Sequence, residues 1–363
     1  MPTRPTSVIH IRKFLMAALP APLRAMVKAC KQWFRTRVAD HFCFPVWLIF
    51  QCLRHRKRAV ILFRIGALGD VICTLPMCAE IRKRHPDRLL VYAVISDYQQ
   101  MVRLSPAVDE VYGARSWKFI PRKFFGLVEK IYAPRTTDEL SPSAGPTIHL
   151  VDDLANSCGI SPSDRQPSLR PAPEWVNRVK STYVQKPINI GKPHRLIGIN
   201  GGHTWPVKEW DVAKWQELVD LIHAEFDATI LQFGLTLGPS DPYEHLRGVT
   251  LLANRLKSDE LVTVVAGCDL IISIDSGPVH IAGAVSTPVL GLFGANDPRH
   301  RLPPTSPGVG LVSAVPCLYC HHRTPRGHWQ NGCPHDIRCM KELEVSTVFQ
   351  AVKTMLANSR SRP

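Results

Sequence analysis

From residue 59 onward the chain repeats one pattern: a short aliphatic run, a turn, then an amphipathic stretch of ten or more residues. Strand-like runs fall at 59–63 and 89–94, residues 106–112 lead into another short strand, and runs recur at 195–200, 228–233, 249–252, 269–274 and 288–293. Helical spacing occupies 70–85, 211–225, 258–266 and 276–285, with a closing helix at 341–356. Strands separated by helices of this length argue for parallel pairing through right-handed crossovers. The expected fold is therefore α/β: two doubly wound, Rossmann-like domains, at 59–190 and 195–363, facing a cleft. Ligands of such sheets bind outside the carboxyl ends of the strands. Residues 113–193 are harder to read; rich in Pro and Ser, they are expected to hold a strand at 147–151 and a linker within 161–194.

Of the 363 residues, 45% are apolar and 21% charged, which excludes a disordered or fibrous chain. No apolar run reaches the ~18–20 residues of a membrane-spanning helix. The 45 lysines and arginines exceed the 30 acids unevenly. Residues 1–58 carry twelve of those bases and one acid, Asp40, while the remainder is close to balance. This basic helical N-terminal extension shows helical spacing at Leu23, Met26, Val27, Cys30 and Phe34. It then runs through an apolar segment, 42–53, into the cluster Arg54-His55-Arg56-Lys57-Arg58. Aromatic residues beside a basic cluster suit a membrane surface; the competing reading is a helix packed on the body. Nucleic acid is not expected as a partner, because the excess charge lies outside the folded body and no base-stacking motif is present. A basic, metal-stapled nucleic-acid binder is nevertheless the alternative from another class. The eleven cysteines are an odd number. The apolar piece at 14–19 is too short for a secretory signal and breaks at Pro20, so a reducing, cytoplasmic compartment is expected.

Three motifs sit where such sheets bind ligands. Ile65-Gly66-Ala67-Leu68-Gly69-Asp70 follows the first strand. Its glycines leave room for a ligand, and Asp70 can either accept a proton from an incoming hydroxyl or simply cap a helix. Asn200 to Trp210 follows the first strand of the second block, with Lys208 placed either to meet a phosphate or to be solvated in a surface loop. Asp275-Ser276-Gly277-Pro278-Val279-His280 joins a strand to a helix. Pro278 suits a first helical turn, and the amides around Ser276 and Gly277 would form an anion site reinforced by the helix dipole. His280 is either a further donor or a structural histidine.

Together these segments resemble glycosyltransferase family 9, the heptosyltransferases of lipopolysaccharide core assembly and their relatives. The likeness is carried by Arg64 to Asp70 with Thr74-Leu75-Pro76, by Lys208-Glu209-Trp210, and by Asp275 to His280 with Thr287-Pro288 and Phe293-Gly294. It spans about residues 59–355. The resemblance implies a two-domain GT-B architecture and an inverting transfer of heptose, or a related sugar, from a nucleotide-activated donor, usually ADP-heptose. The partner would be an anionic glycan or lipid-linked acceptor such as a lipopolysaccharide core, met at the cytosolic face of an inner membrane. It also implies roles: Asp70 as general base, Lys208 neutralising the departing diphosphate, Gly69, Ser276, Gly277 and His280 at the donor, and Asp275 on donor hydroxyls. A protein-modifying heptosyltransferase is the alternative. Arg64, Arg115, Lys118, Arg122 and Lys123 are candidates to meet an anionic acceptor. No DxD-type metal motif lies near the donor segment, so no cofactor is expected for catalysis.

A last cluster is Cys317, Cys320, Cys333 and Cys339, with His321, His322, His328 and His335 among them. Four thiolates in one Gly/Pro-rich loop can build a tetrahedral zinc or iron staple, or remain reduced cysteines without metal. The resemblance adds that some relatives of protein-modifying type hold iron in such a cluster.

Overall fold

The computed structural model describes residues 39–116, 118–122, 126–141, 145–184, 193–202, 205–236, 241–323 and 332–358. The basic helix expected at 23–38, Lys123 and His328 lie outside the described residues.

Two parallel sheets form the body. The first joins β1 (Ala59–Phe63), β2 (Leu89–Ile95), β3 (Glu110–Ala114) and β4 (Val128–Tyr132) in the order β3-β2-β1-β4. The second joins β5 (Arg195–Asn200), β6 (Ala228–Gln232), β7 (Thr250–Leu251), β8 (Leu270–Ile274), β9 (Val289–Leu292) and β10 (Gly308–Leu311) in the order β10-β9-β8-β5-β6-β7. Each sheet reverses its winding beside its own first strand, between β1 and β4 and between β5 and β8. A crevice therefore opens at the carboxyl ends of those pairs.

Both faces of each sheet are covered, as parallel sheets require. Every residue of β2 is buried. Val60, Leu62, Leu90, Tyr92 and Val94 face α2 (Leu68–Cys73) and α3 (Met77–Arg84). Ala59, Ile61, Leu89 and Val91 face α1 (Ala39–His55) through Phe44, Leu48 and Cys52. In the second sheet Ile197, Ile199, Leu270 and Ile272 pack with α6 (Val212–Glu225) and α9 (Val345–Asn358). The core around Val71 and Ile72 runs without interruption to Val262, Val265 and Ile281 of α7 (Ser258–Gly267) and α8 (Gly277–Ala284).

Two expected elements need correction. The helix expected over 70–85 is two helices, α2 and α3, interrupted at Thr74-Leu75-Pro76. Pro76 has no N–H for the helical ladder and its ring opposes the carbonyl of residue 72. The strand expected at 147–151 is instead the start of α4 (Leu150–Asn156). His149 caps it by accepting the Val151 N–H at 3.2 Å, and Asp152 and Asp153 lie in its first turn, where the dipole favours acids. Its apolar side, Leu150, Val151 and Leu154, packs on Cys73. β4 was not foreseen, since Glu129 and Lys130 interrupt its apolar pattern on an edge strand. A further helix, α5 (Pro173–Tyr183), packs on α7, where Val179 lies against Gly267.

Candidate active site between the sheets

The loop after β1 carries Arg64 inward, with its side chain only 5% exposed. A buried guanidinium needs acids, and it finds two. Its Nη2 donates to Asp70 Oδ2 at 2.6 Å and to Glu139 Oε1 at 2.9 Å; its Nη1 donates to Glu139 Oε2 at 2.6 Å and to the Pro134 carbonyl at 3.0 Å. Glu139 follows β4, so the ion cluster sits at the β1/β4 reversal. Asp70 is not the cap of α2; that position is Ala67, which lacks a capping side chain. The carboxylate turns instead toward Arg64 and stays about a quarter exposed.

At the β5/β8 reversal lie Lys208 and Asp275. Lys208 Nζ is 2.9 Å from Asp275 Oδ2 and donates to the Asp275 carbonyl at 3.2 Å. Asn296 Nδ2 donates to the same carboxylate at 2.5 Å. Burial alone would raise the Asp275 pKa, but Lys208, Arg301 and the Asn296 hydrogen bond overcome it and hold the carboxyl well below its usual range. Both contacts fall on one oxygen of Asp275, Oδ2. Ser276 is extended and does not cap α8 with its side chain; its Oγ accepts from Asn200 Nδ2 at 2.7 Å. The first amides of α8 therefore have no side-chain cap, which suits an anion.

The two lobes meet at two glycines. A Cβ on Gly69 would lie 2.5 Å from His280 Cδ2, and one on Gly277 would lie 2.4 Å from Leu68 Cδ2. Each glycine lets the opposite lobe's side chain approach the backbone. The room at Gly69, expected for a ligand, is thus filled by the His280 ring. His280 is buried and its pKa is pushed down to about 3, by burial first and with the Arg301 charge contributing. Its Nδ1 is 3.3 Å from Cys73 Sγ. The ring is neutral near pH 7 and brings no positive charge to a diphosphate. The contact sets Asp70 of one lobe beside the Asp275–His280 turn of the other.

Arg301 was missed by sequence reasoning. It is 8% exposed, and its Nη1 has no hydrogen-bond partner among the described residues. Burial first, with its charge added, lowers the pKa of His149, His280, His300, His321 and His322. No motif announces Arg301, because it reaches the cleft from the segment after β9. His149 completes the wall: its Nε2 donates to the Leu302 carbonyl at 2.8 Å, while Nδ1 accepts from Val151. That pattern fits one neutral tautomer.

Of the other cations expected at an acceptor, Arg115, Lys118 and Arg122 lie beyond β3 and are not part of the Arg64 cluster. The four late cysteines are neighbours. Cys339 is pushed up to about 11 by burial, and further by Cys320, Cys317 and Cys333. Yet among the described residues no three His, Cys, Asp or Glu side chains converge as a metal site. The residues as placed do not by themselves build the expected staple. No described helix is long and apolar enough to cross a membrane.

Comparison with known proteins agrees with this architecture. The model of glycosyltransferase family 9 (heptosyltransferase) matches residues 154–328. Lipopolysaccharide heptosyltransferase 3 of Escherichia coli is 37% identical, over 63% of this chain and 81% of that protein. The structure of the E. coli ADP-heptose lipopolysaccharide heptosyltransferase II superposes with a TM-score of 0.60 at 14% identity, covering 84% of this chain and 100% of that one. TibC, an iron-containing dodecameric glycosyltransferase of enterotoxigenic E. coli, superposes with a TM-score of 0.62 at 15% identity, over 85% and 80%. At such identities the two structures speak for the fold alone.

Proposed function

Because the chain belongs to glycosyltransferase family 9, the heptosyltransferases, we propose that it moves a heptosyl group from ADP-heptose to a lipopolysaccharide core acceptor, with inversion. The observation that carries this reading is the meeting of the lobes at Gly69 and His280, which sets the Asp70 carboxylate, about a quarter exposed and held by Arg64, beside a cationic, amide-rich turn. In this reading Asp70 takes the proton of the acceptor hydroxyl as its oxygen attacks the anomeric carbon, and the bond to the diphosphate breaks on the opposite side. Arg64 fixes the Asp70 carboxylate, and Glu139 balances the Arg64 charge. Negative charge gathers on the departing ADP, where Lys208, Arg301 and the first amides of α8 stabilise it without reorganising. Asp275 orients Lys208 through Oδ2. These fixed cations supply the counter-charge that a divalent ion would otherwise bring.

The acceptor is lipid-linked and is met at the cytosolic face of the inner membrane. The four late cysteines, which do not converge as a site among the described residues, have no part in this transfer scheme. The decisive experiment is transfer from ADP-heptose to heptose-deficient core, against a hydroxyl-bearing protein acceptor. Asp70→Asn should lower kcat by about 10²–10⁴ while leaving donor affinity nearly intact. Transfer to protein but not to core would move the assignment to the protein-modifying branch, and unchanged turnover in the variant would remove Asp70 as the base.

A further inference from the structure

The transfer chemistry leaves the outer face of α1 without a use. The helix packs inward through Phe44, Leu48 and Cys52. At 100° per residue, Phe42, Val46, Phe50 and Leu53 fall on the opposite side. They are 69%, 69%, 61% and 71% exposed. A surface helix ordinarily turns a polar face outward, and a contiguous stripe of large apolar side chains marks an interaction site. A second segment extends the stripe: Ile120 is 62% exposed, beside Phe119, which packs on Phe44. Between helix and loop lies a hollow of about 340 Å³ lined by His41, Phe44, Pro45, Phe119, Ile120 and Arg122.

The charge around this face is mostly positive, with Glu110 as a partly buried acid that meets Arg54 at 3.7 Å and His55 at 2.9 Å. Arg54, Arg56, Lys57 and Arg58 are exposed at one end of the stripe, and Lys118 and Arg122 in the loop. Asp40 does not offset them. It is buried, and its carboxylate accepts from Tyr112 Oη at 3.1 Å and from the Arg115 and Ser116 amides at 2.8 and 3.0 Å. One end of the face, at Phe119 and Ile120, lies at the site's end of the first sheet, while Arg54 to Arg58 lie at the other end. Phe119 touches Phe63, the last residue of β1, with ring centroids 6.0 Å apart, and the next residue is Arg64.

We propose that this face seats the first lobe on an anionic lipid bilayer. Phe42, Val46, Phe50, Leu53 and Ile120 enter the boundary between headgroups and acyl chains, and the surrounding bases meet lipid phosphates. Val46, Leu53 and Ile120 are aliphatic, which suits acyl chains. The inference deepens the reading above, on which it rests for a lipid-linked acceptor: the lobe that carries Asp70 is the one brought to the membrane.

The test uses the full chain and the variant F42S/V46S/F50S/L53S, co-sedimented with vesicles of phosphatidylcholine alone or mixed with phosphatidylglycerol. Wild type should bind the mixed vesicles and lose them as salt rises. The variant should bind them about tenfold less or weaker still, with an unchanged melting temperature, since the four side chains are exposed. Equal binding by the variant overturns the proposal in favour of charge alone. A lowered melting temperature with unchanged vesicle binding overturns it in favour of a face covered by the chain itself. A loss of self-association with unchanged vesicle binding, or tighter binding to oligonucleotides than to vesicles, overturns it in favour of a second copy or a nucleic acid. Transfer to a water-soluble core oligosaccharide is measured alongside. It should survive in the variant, and its absence in wild type would count against the transferase reading without touching the membrane result.

Discussion

Lys208→Met separates a positioned counter-ion from a solvated surface lysine. The Lys208 and Asp275 side chains are 14% and 6% exposed and 2.9 Å apart. Removing one partner of so buried a pair leaves an uncompensated charge and costs about 3–5 kcal/mol. Spread over a lobe of this size, that corresponds to a melting shift of roughly 6–20 °C. Exchanging both groups, as in Lys208→Met with Asp275→Asn, should recover much of the loss, because no buried charge remains. The acid profile supplies a second signature. In wild type the folded pKa of Asp275 is depressed, so its contribution is fully present above its ordinary value of 3.8 and fades as pH falls below that. Without Lys208, only the Arg301 charge and the Asn296 hydrogen bond oppose burial, so the folded pKa moves upward. The single variant should then lose less stability than wild type as pH falls below about 4. Calorimetry from pH 3 to 8 on wild type, both single variants and the double variant measures this, and kcat should fall by about 10²–10³ in parallel. A single variant as stable as the double, with a wild-type acid profile, would refute the argument.

Other outcomes follow from the same geometry. Gly69→Ala drives a methyl to 2.5 Å from His280 and should cost about 1–3 kcal/mol together with turnover, read by melting and rate. Full activity would show that the lobes do not work in this contact. Arg301→Met should weaken ADP binding by about tenfold or more in calorimetric titration, since charged hydrogen bonds to phosphate are the strong ones. Its melting temperature should fall as well, because Arg301 helps hold the buried Asp275 carboxyl in its charged form. Leu48→Ala, at a side chain with 0% exposure, should cost about 2–5 kcal/mol in denaturant melts. Phe42→Ala on the other face of α1 should stay within about 0.5 kcal/mol.

Much of this protein was legible in one dimension because its strands are buried on both faces. Runs such as Leu89 to Ile95 announce themselves by composition, and the glycines and Pro278 mark the turns between strand and helix. Asp275 directly follows the end of β8, and Asp70 and Lys208 stand in the segments that follow β1 and β5, so each could be placed near a strand end from the sequence. What failed was local order set by neighbours. β4 is an edge strand whose polar outer residues mask it, and residues 147–151 looked extended until the His149 cap and the packing of Leu150, Val151 and Leu154 on Cys73 made the segment part of a helix.

Pairings between distant segments had no signature in the chain. Glu139 joins Arg64 across 75 positions, and Cys73 meets His280 across 207. Arg301 becomes a cleft residue only because β9 delivers its following loop to the same crevice as β1 and β8. Local pattern decides which residues stand at strand ends, since burial and turn chemistry act between neighbours in sequence. Which of those ends share a crevice, and therefore which charges feel one another, depends on strand order and on how closely two lobes can approach. At Gly69 and Gly277 that approach is governed by the absence of a side chain, and its meaning emerges only when the opposing residue is in place.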